Sequence, residues 1–131
     1  MSKPDPELNF NEDNKLEAMI YKIVGVDEWA AAQSAGKYTG SADDARDGFI
    51  HFSSSEQVAG TAAKHFADRD DLLILGIETS VLGDDLKWEA SRGGALFPHL
   101  YGSFETNKVA FVEKLTLNEH GEHVIPAKVS G

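Results

Sequence analysis

The order of apolar spacings along this chain, strand, helix, loop, strand, helix and then mostly strands, constrains the fold more than any single motif. Helical spacing is confined to two early segments, one around Trp29–Ala35 and one around Ala59–Phe66. From Leu72 onward, alternation and short apolar runs take over, the pattern of strands. Helices gathered early and strands gathered late predict an α+β domain rather than a doubly wound sheet.

Read in order, Met19–Val24 predicts a strand with Ile20, Lys22 and Val24 on one face and Tyr21 and Ile23 on the other. Asp27 caps a helix that runs to about Ala35 and stops at Gly36. Tyr38–Asp47 is rich in Gly, Ser and Asp and predicts a long loop, and loops of that length are often functional. Ser54 followed by Gln57 is a capping-box pattern, and Ala59, Ala62, Ala63 and Phe66 then share one helical face. His65 lies at the edge of that helix. Leu72–Glu78 reads as a buried strand, and Thr79–Asp85 as a turn. Leu86–Ser91 alternates, with Leu86, Trp88 and Ala90 opposite Lys87, Glu89 and Ser91. A strand through Val109, Phe111, Glu113 and Leu115 and a short one at Val124–Ile125 complete the reading.

At 131 residues the chain suits one domain. Residues 1–17 carry five acids and two lysines with little apolar pattern, which predicts a mobile acidic arm ahead of a domain over 18–131. No apolar run is long enough for a membrane helix, and the N-terminal stretch has no secretory apolar core; both favour a cytoplasmic protein without membrane contact. The chain has no cysteine, so thiolate metal sites and cysteine nucleophiles are excluded. A net charge of −10 repels a phosphate backbone and argues against general nucleic-acid binding. A small nucleotide or metabolite remains compatible, with Lys22, Lys37, Arg46 and Arg92 available for a local basic patch.

Two segments hold most of the candidate chemistry: Gly48-Phe49-Ile50-His51-Phe52-Ser53 and Phe97-Pro98-His99-Leu100-Tyr101-Gly102. Alternation puts Phe49, His51 and Ser53 on one face, with Ile50 and Phe52 turned toward the core. Each histidine can be a proton-transfer group or a buried ring held by a backbone carbonyl. Tyr101 can donate a hydrogen bond or stack on a base or sugar. Glu89, next to Trp88, can act as acid, base or ribose contact, or stand as an ordinary strand residue facing solvent. His51, His99 and Glu89 are also a possible ligand set for a metal-dependent hydrolase, although their spacing matches no metal signature and no metal is expected.

Several motifs in order resemble the bacterial family called domain of unknown function 952. They are Ile20-Tyr21-Lys22-Ile23, Trp29, Asp47–Ser53, the Gln57…Thr61-Ala62 helix, Trp88-Glu89 and Leu96–Gly102. The resemblance implies an ADP-ribosyltransferase-like fold, with two small packed β-sheets forming an NAD-binding cleft. Among such proteins the RNA 2'-phosphotransferases are similar: Ile50-His51-Phe52-Ser53 matches their His-Val-His-Leu-Ser-like strand. Their first-strand Tyr-His-Gly is replaced here by Tyr21-Lys22-Ile23. The implied function is an enzyme, or a degenerate one, acting on NAD or an ADP-ribose-like nucleotide by ADP-ribosyl or phosphoryl transfer. His51, His99 and Glu89 are the expected catalytic groups. Ser53, Tyr101 and Lys22 are the expected ligand contacts, with His99 and Tyr101 on the wall opposite His51. The alternative is a non-catalytic module that binds a small metabolite in the same cleft.

Overall fold

A computed structural model of the chain describes residues 19–91 and 93–129; the expected acidic arm and Arg92 lie outside them. The architecture is mixed α+β, with antiparallel sheets and few helices. The strands are β1 (Met19–Gly25), β2 (Lys37–Tyr38), β3 (Ile50–His51), β4 (Leu72–Glu78), β5 (Leu86–Ala90), β6 (Leu96–Leu100), β7 (Phe104–Glu105), β8 (Phe111–Leu117) and β9 (His123–Val124). The helices are α1 (Val26–Ala35), α2 (Ala42–Asp47) and α3 (Val58–His65). Among the described residues no helix is long and apolar enough to cross a membrane.

The strands form a four-stranded sheet in the order β1-β4-β8-β9, a three-stranded sheet β3-β6-β5 and a small ribbon β2-β7. β1 uses its two faces as the alternation predicts. Ile20 and Val24 join Leu75, Ile77, Ile50, Phe52, Leu100 and Trp29 in one core, against which Leu86 and Trp88 also pack. Tyr21 and Ile23 join Leu72, Ile74, Leu115, Val58 and Ala62 in a second. The first core lies between the four- and three-stranded sheets; the second lies between the four-stranded sheet and α3. Tyr21 and Ser53 exchange backbone hydrogen bonds at 2.8 Å and so tie β1 to the end of the β3 segment.

Local chemistry accounts for the element ends. Gly36 ends α1 in the left-handed conformation (φ 83°), returning its N–H to Ala32 and Gln33. Asp27 does not cap α1: it lies in the first turn, and Glu28 reaches back to the Gly25 N–H at 3.0 Å. The expected loop over Tyr38–Asp47 instead contains β2 and the short helix α2. Ser41 and Asp44 cap that helix reciprocally: the Ser41 hydroxyl accepts from the Asp44 N–H, and Asp44 accepts from the Ser41 N–H. α3 begins one turn later than Ser54 suggests and is rotated. Val58 and Ala62 are buried, while Ala59 and Ala63 face solvent. Val58, a better apolar filler than alanine, takes the inward position.

Candidate functional site

The pairing register builds the site. His51 on β3 stands directly opposite His99 on β6, and Lys87 on β5 stands opposite His99 from the other side. Directly paired residues point to the same side of a sheet. The next row, Ile50–Leu100–Leu86, faces the first core, so the histidine row belongs to the outer face. Glu89 and its partner Phe97 share that face. Phe49 and Tyr101 complete a cluster of rings. Phe49 stacks on His99 with ring centroids 4.0 Å apart, and lies 4.7 Å from His51 and 5.2 Å from Tyr101. The two imidazoles meet edge-on at 5.6 Å. A hollow of about 300 Å³ borders the cluster, lined by Phe49 with Thr39, Asp44, Gly48 and Gly102 among others.

Each histidine leans on a carboxylate. His51 Nδ1 lies 2.6 Å from Asp44 Oδ1, and its Nε2 lies 2.9 Å from Asp47 Oδ2. Carboxylates only accept, so the ring serves both contacts only when both nitrogens carry protons. His99 Nδ1 donates to Glu89 Oε1 at 2.7 Å, and the Tyr101 hydroxyl donates to the same oxygen at 2.7 Å. The two pairs have inverted exposure. The Asp44 side chain is 2% exposed and His51 37%, whereas the His99 side chain is 11% exposed and Glu89 38%.

The charges follow from these contacts. Burial opposes the charge on Asp44, yet the His51 hydrogen bond, the Lys22 charge and the Ser41 backbone outweigh it. Its carboxyl is held well below the usual range. Hydrogen bonds from His99 and then Tyr101 lower Glu89, so this exposed carboxylate stays ionised. The bond to Glu89, reinforced by partial desolvation, raises the Tyr101 phenol.

Of the residues singled out from the sequence, His51, His99, Glu89 and Tyr101 come together. His99 and Tyr101 do not form a wall facing His51: His99 is its cross-strand neighbour on the same face. Ser53 lies apart. The β3 strand ends at His51, Ser53 pairs with β1, and its hydroxyl meets Thr61 on α3 at 2.9 Å. Lys22 is buried on the core side of β1 and donates to Asp44 at 2.9 Å. Among the described residues, no group of three or more His, Asp or Glu side chains is placed to hold a metal ion.

The family described as protein of unknown function DUF952 matches residues 23–112. The chain belongs to the DUF952 family. The crystal structure of protein CC0527 from Caulobacter crescentus is 45% identical to this DUF952 chain, with a TM-score of 0.82, over 86% of this chain and 99% of that one. The solution structure of the same Caulobacter crescentus protein is 49% identical, with a TM-score of 0.73, over 79% and 90% of the two chains. No curated protein matches.

Two acidic members of this cluster, Asp44 and Asp47, were not among the residues singled out for chemistry, because both fell in the segment expected to be a loop. The available signal was Ser41-x-x-Asp44, a shortened capping box, with Gly48 following as the left-handed stop (φ 90°). Gly40 carries a further sign of tight packing. A Cβ there would stand 2.9 Å from that of Asp44, and its φ of 114° suits glycine.

Proposed function

We propose that the outer face of the β3-β6-β5 sheet binds a small nucleotide of the NAD or ADP-ribose type, on a domain of ADP-ribosyltransferase-like architecture. One observation carries this reading: His51, His99, Glu89, Tyr101 and Phe49, drawn from three strands and two connecting segments, converge on one partly exposed patch. The aromatic rings suit a planar base or nicotinamide, and the Glu89 carboxylate suits ribose hydroxyls. An ionised carboxylate is also the group that would face positive charge developing at a ribosyl carbon during transfer. His51 offers its outward Nε2 for a hydrogen bond with the ligand. Lys87, in the same row as the two histidines, is a cation that suits a phosphate.

The second reading, a binding module without catalysis, rests on Lys22. In the enzymes this family resembles, the first strand offers a histidine to the ligand. Here that strand offers Lys22, which is buried and engaged by Asp44. Calorimetry with NAD and ADP-ribose tests the shared part of both readings: micromolar to millimolar binding supports it, and no heat at millimolar ligand removes it. Release of nicotinamide from NAD on turnover selects the transferase; stoichiometric binding without release selects the module.

A further inference from the structure

Asp44 makes more contacts than a helix cap needs. Its Oδ1 takes the His51 ring at 2.6 Å, the His51 backbone N–H at 3.2 Å and Lys22 Nζ at 3.2 Å. Its Oδ2 takes Lys22 Nζ at 2.9 Å and the Ser41 N–H at 2.9 Å. One buried carboxylate thereby ties β1, the start of α2 and β3 to a single imidazole. Such a charge is costly to bury unless it is paired and fully hydrogen-bonded, and Lys22 provides the pairing. The charged and titratable groups around the His51 ring are Lys22 from β1, Asp44 and Asp47 from α2, and His99 from β6, with Lys87 and Glu89 beyond it on β5.

We propose that Asp44, seated on Lys22, is a positioning residue. It fixes the Nδ1–H side of His51, so that the Nε2 edge faces outward toward a hydrogen-bonding group of a ligand, at the place where the Asp47 carboxylate now sits. Asp44 itself is buried and touches the ligand only through His51. The solvent-facing partner at Nε2 is Asp47, the last residue of a six-residue helix, also contacted by the exposed Arg46 at 3.3 Å. That partner can be exchanged for a hydrogen-bonding group of a ligand without disturbing the buried pair. The inference rests on the ring face being the ligand site, but its geometric half is read without ligand, so the two can fail separately.

The test is nitrogen-edited NMR of the imidazole side chains, joined to calorimetry with ADP-ribose. A ring N–H held on a buried carboxylate exchanges slowly with water, so the His51 Nδ1 proton is expected to be visible near neutral pH. Asp44→Ala alone strands the Lys22 charge and can fail to fold. The double variant Lys22→Met/Asp44→Ala removes both charges and keeps the protein testable. In that folded double variant the Nδ1 proton signal should vanish and ADP-ribose affinity should fall about tenfold or more. Asp47→Ala should keep the Nδ1 signal. Persistence of that signal in the double variant, unchanged ADP-ribose affinity there, or its loss in Asp47→Ala would each overturn the assignment. If the wild-type chain binds no ADP-ribose, the ligand reading fails, and with it the role proposed for Nε2; the Nδ1 signal then reports the anchor alone.

Discussion

The two histidine–carboxylate pairs are built from the same chemistry and turned inside out relative to each other. At His51 the acid is buried and the ring is half open to solvent; at His99 the ring is buried under Phe49 and the acid is open. A buried partner fixes geometry, and an exposed one is available for contact. The pairs therefore present different groups from one sheet face: an imidazole edge at His51 and a carboxylate at Glu89. Asp44 and His99 hold those groups in place. The difference traces to a third group beside each pair. Lys22 stabilises the buried charge on Asp44, whereas Glu89 is steadied by the Tyr101 hydroxyl at the surface.

The comparison breaks most visibly in stability. Asp44→Ala should cost about 3 to 5 kcal/mol in urea unfolding, because an unpaired ammonium remains buried. Lys22→Met on that background should restore much of the loss. Glu89→Ala should scarcely move the unfolding midpoint. An equal loss for the two acids would erase the asymmetry.

Acid sharpens the same contrast. Asp44 titrates lower in the folded chain than in the unfolded one, where a value of about 3.9 is normal. Its contribution is therefore complete above about pH 4 and is lost as pH falls through the folded value. Unfolding free energies measured from pH 7 down to 2 should show a steeper acid limb in wild type than in Lys22→Met/Asp44→Ala. Parallel curves would mean that the pair carries no linked stability.

At the open pair, the smaller effect is spectroscopic. The Tyr101 phenol is raised first by its bond to Glu89, so Glu89→Gln should bring its titration back toward the ordinary tyrosine range. Tyr21 and Tyr38, raised chiefly by burial, should not follow. Ultraviolet titration of the three tyrosines distinguishes these outcomes. Smallest of all, Ser53→Ala should cost about 1 kcal/mol through its bond to Thr61 and leave ADP-ribose affinity unchanged. Weaker binding there would return Ser53 to the site.

Part of this arrangement is legible in the sequence. Strands that alternate over several positions were legible: the two faces of β1, the Leu72–Glu78 strand and the outward row Lys87–Glu89 all follow from period two. The Gly36 stop was legible because only a few residues adopt its backbone conformation. What escaped depends on contacts between distant segments. β3 is two residues long, so alternation could not carry as far as Ser53. The partnership of Lys22 with Asp44 spans 22 positions and leaves no periodic trace. The adjacency of His51 and His99 is fixed by the β3–β6 register, which no local pattern encodes.

In the proposed site His51 presents its Nε2 edge to a nucleotide while Asp44 holds the opposite edge still. Titrating ADP-ribose into the nitrogen-labelled protein and following each histidine's two ring nitrogens tests it directly. The predicted result is a large movement of His51 Nε2, a small one of its Nδ1, and none at His65, which lies exposed at the end of α3. Equal movement of both His51 nitrogens, or movement at His65 as large as at His51, would contradict it.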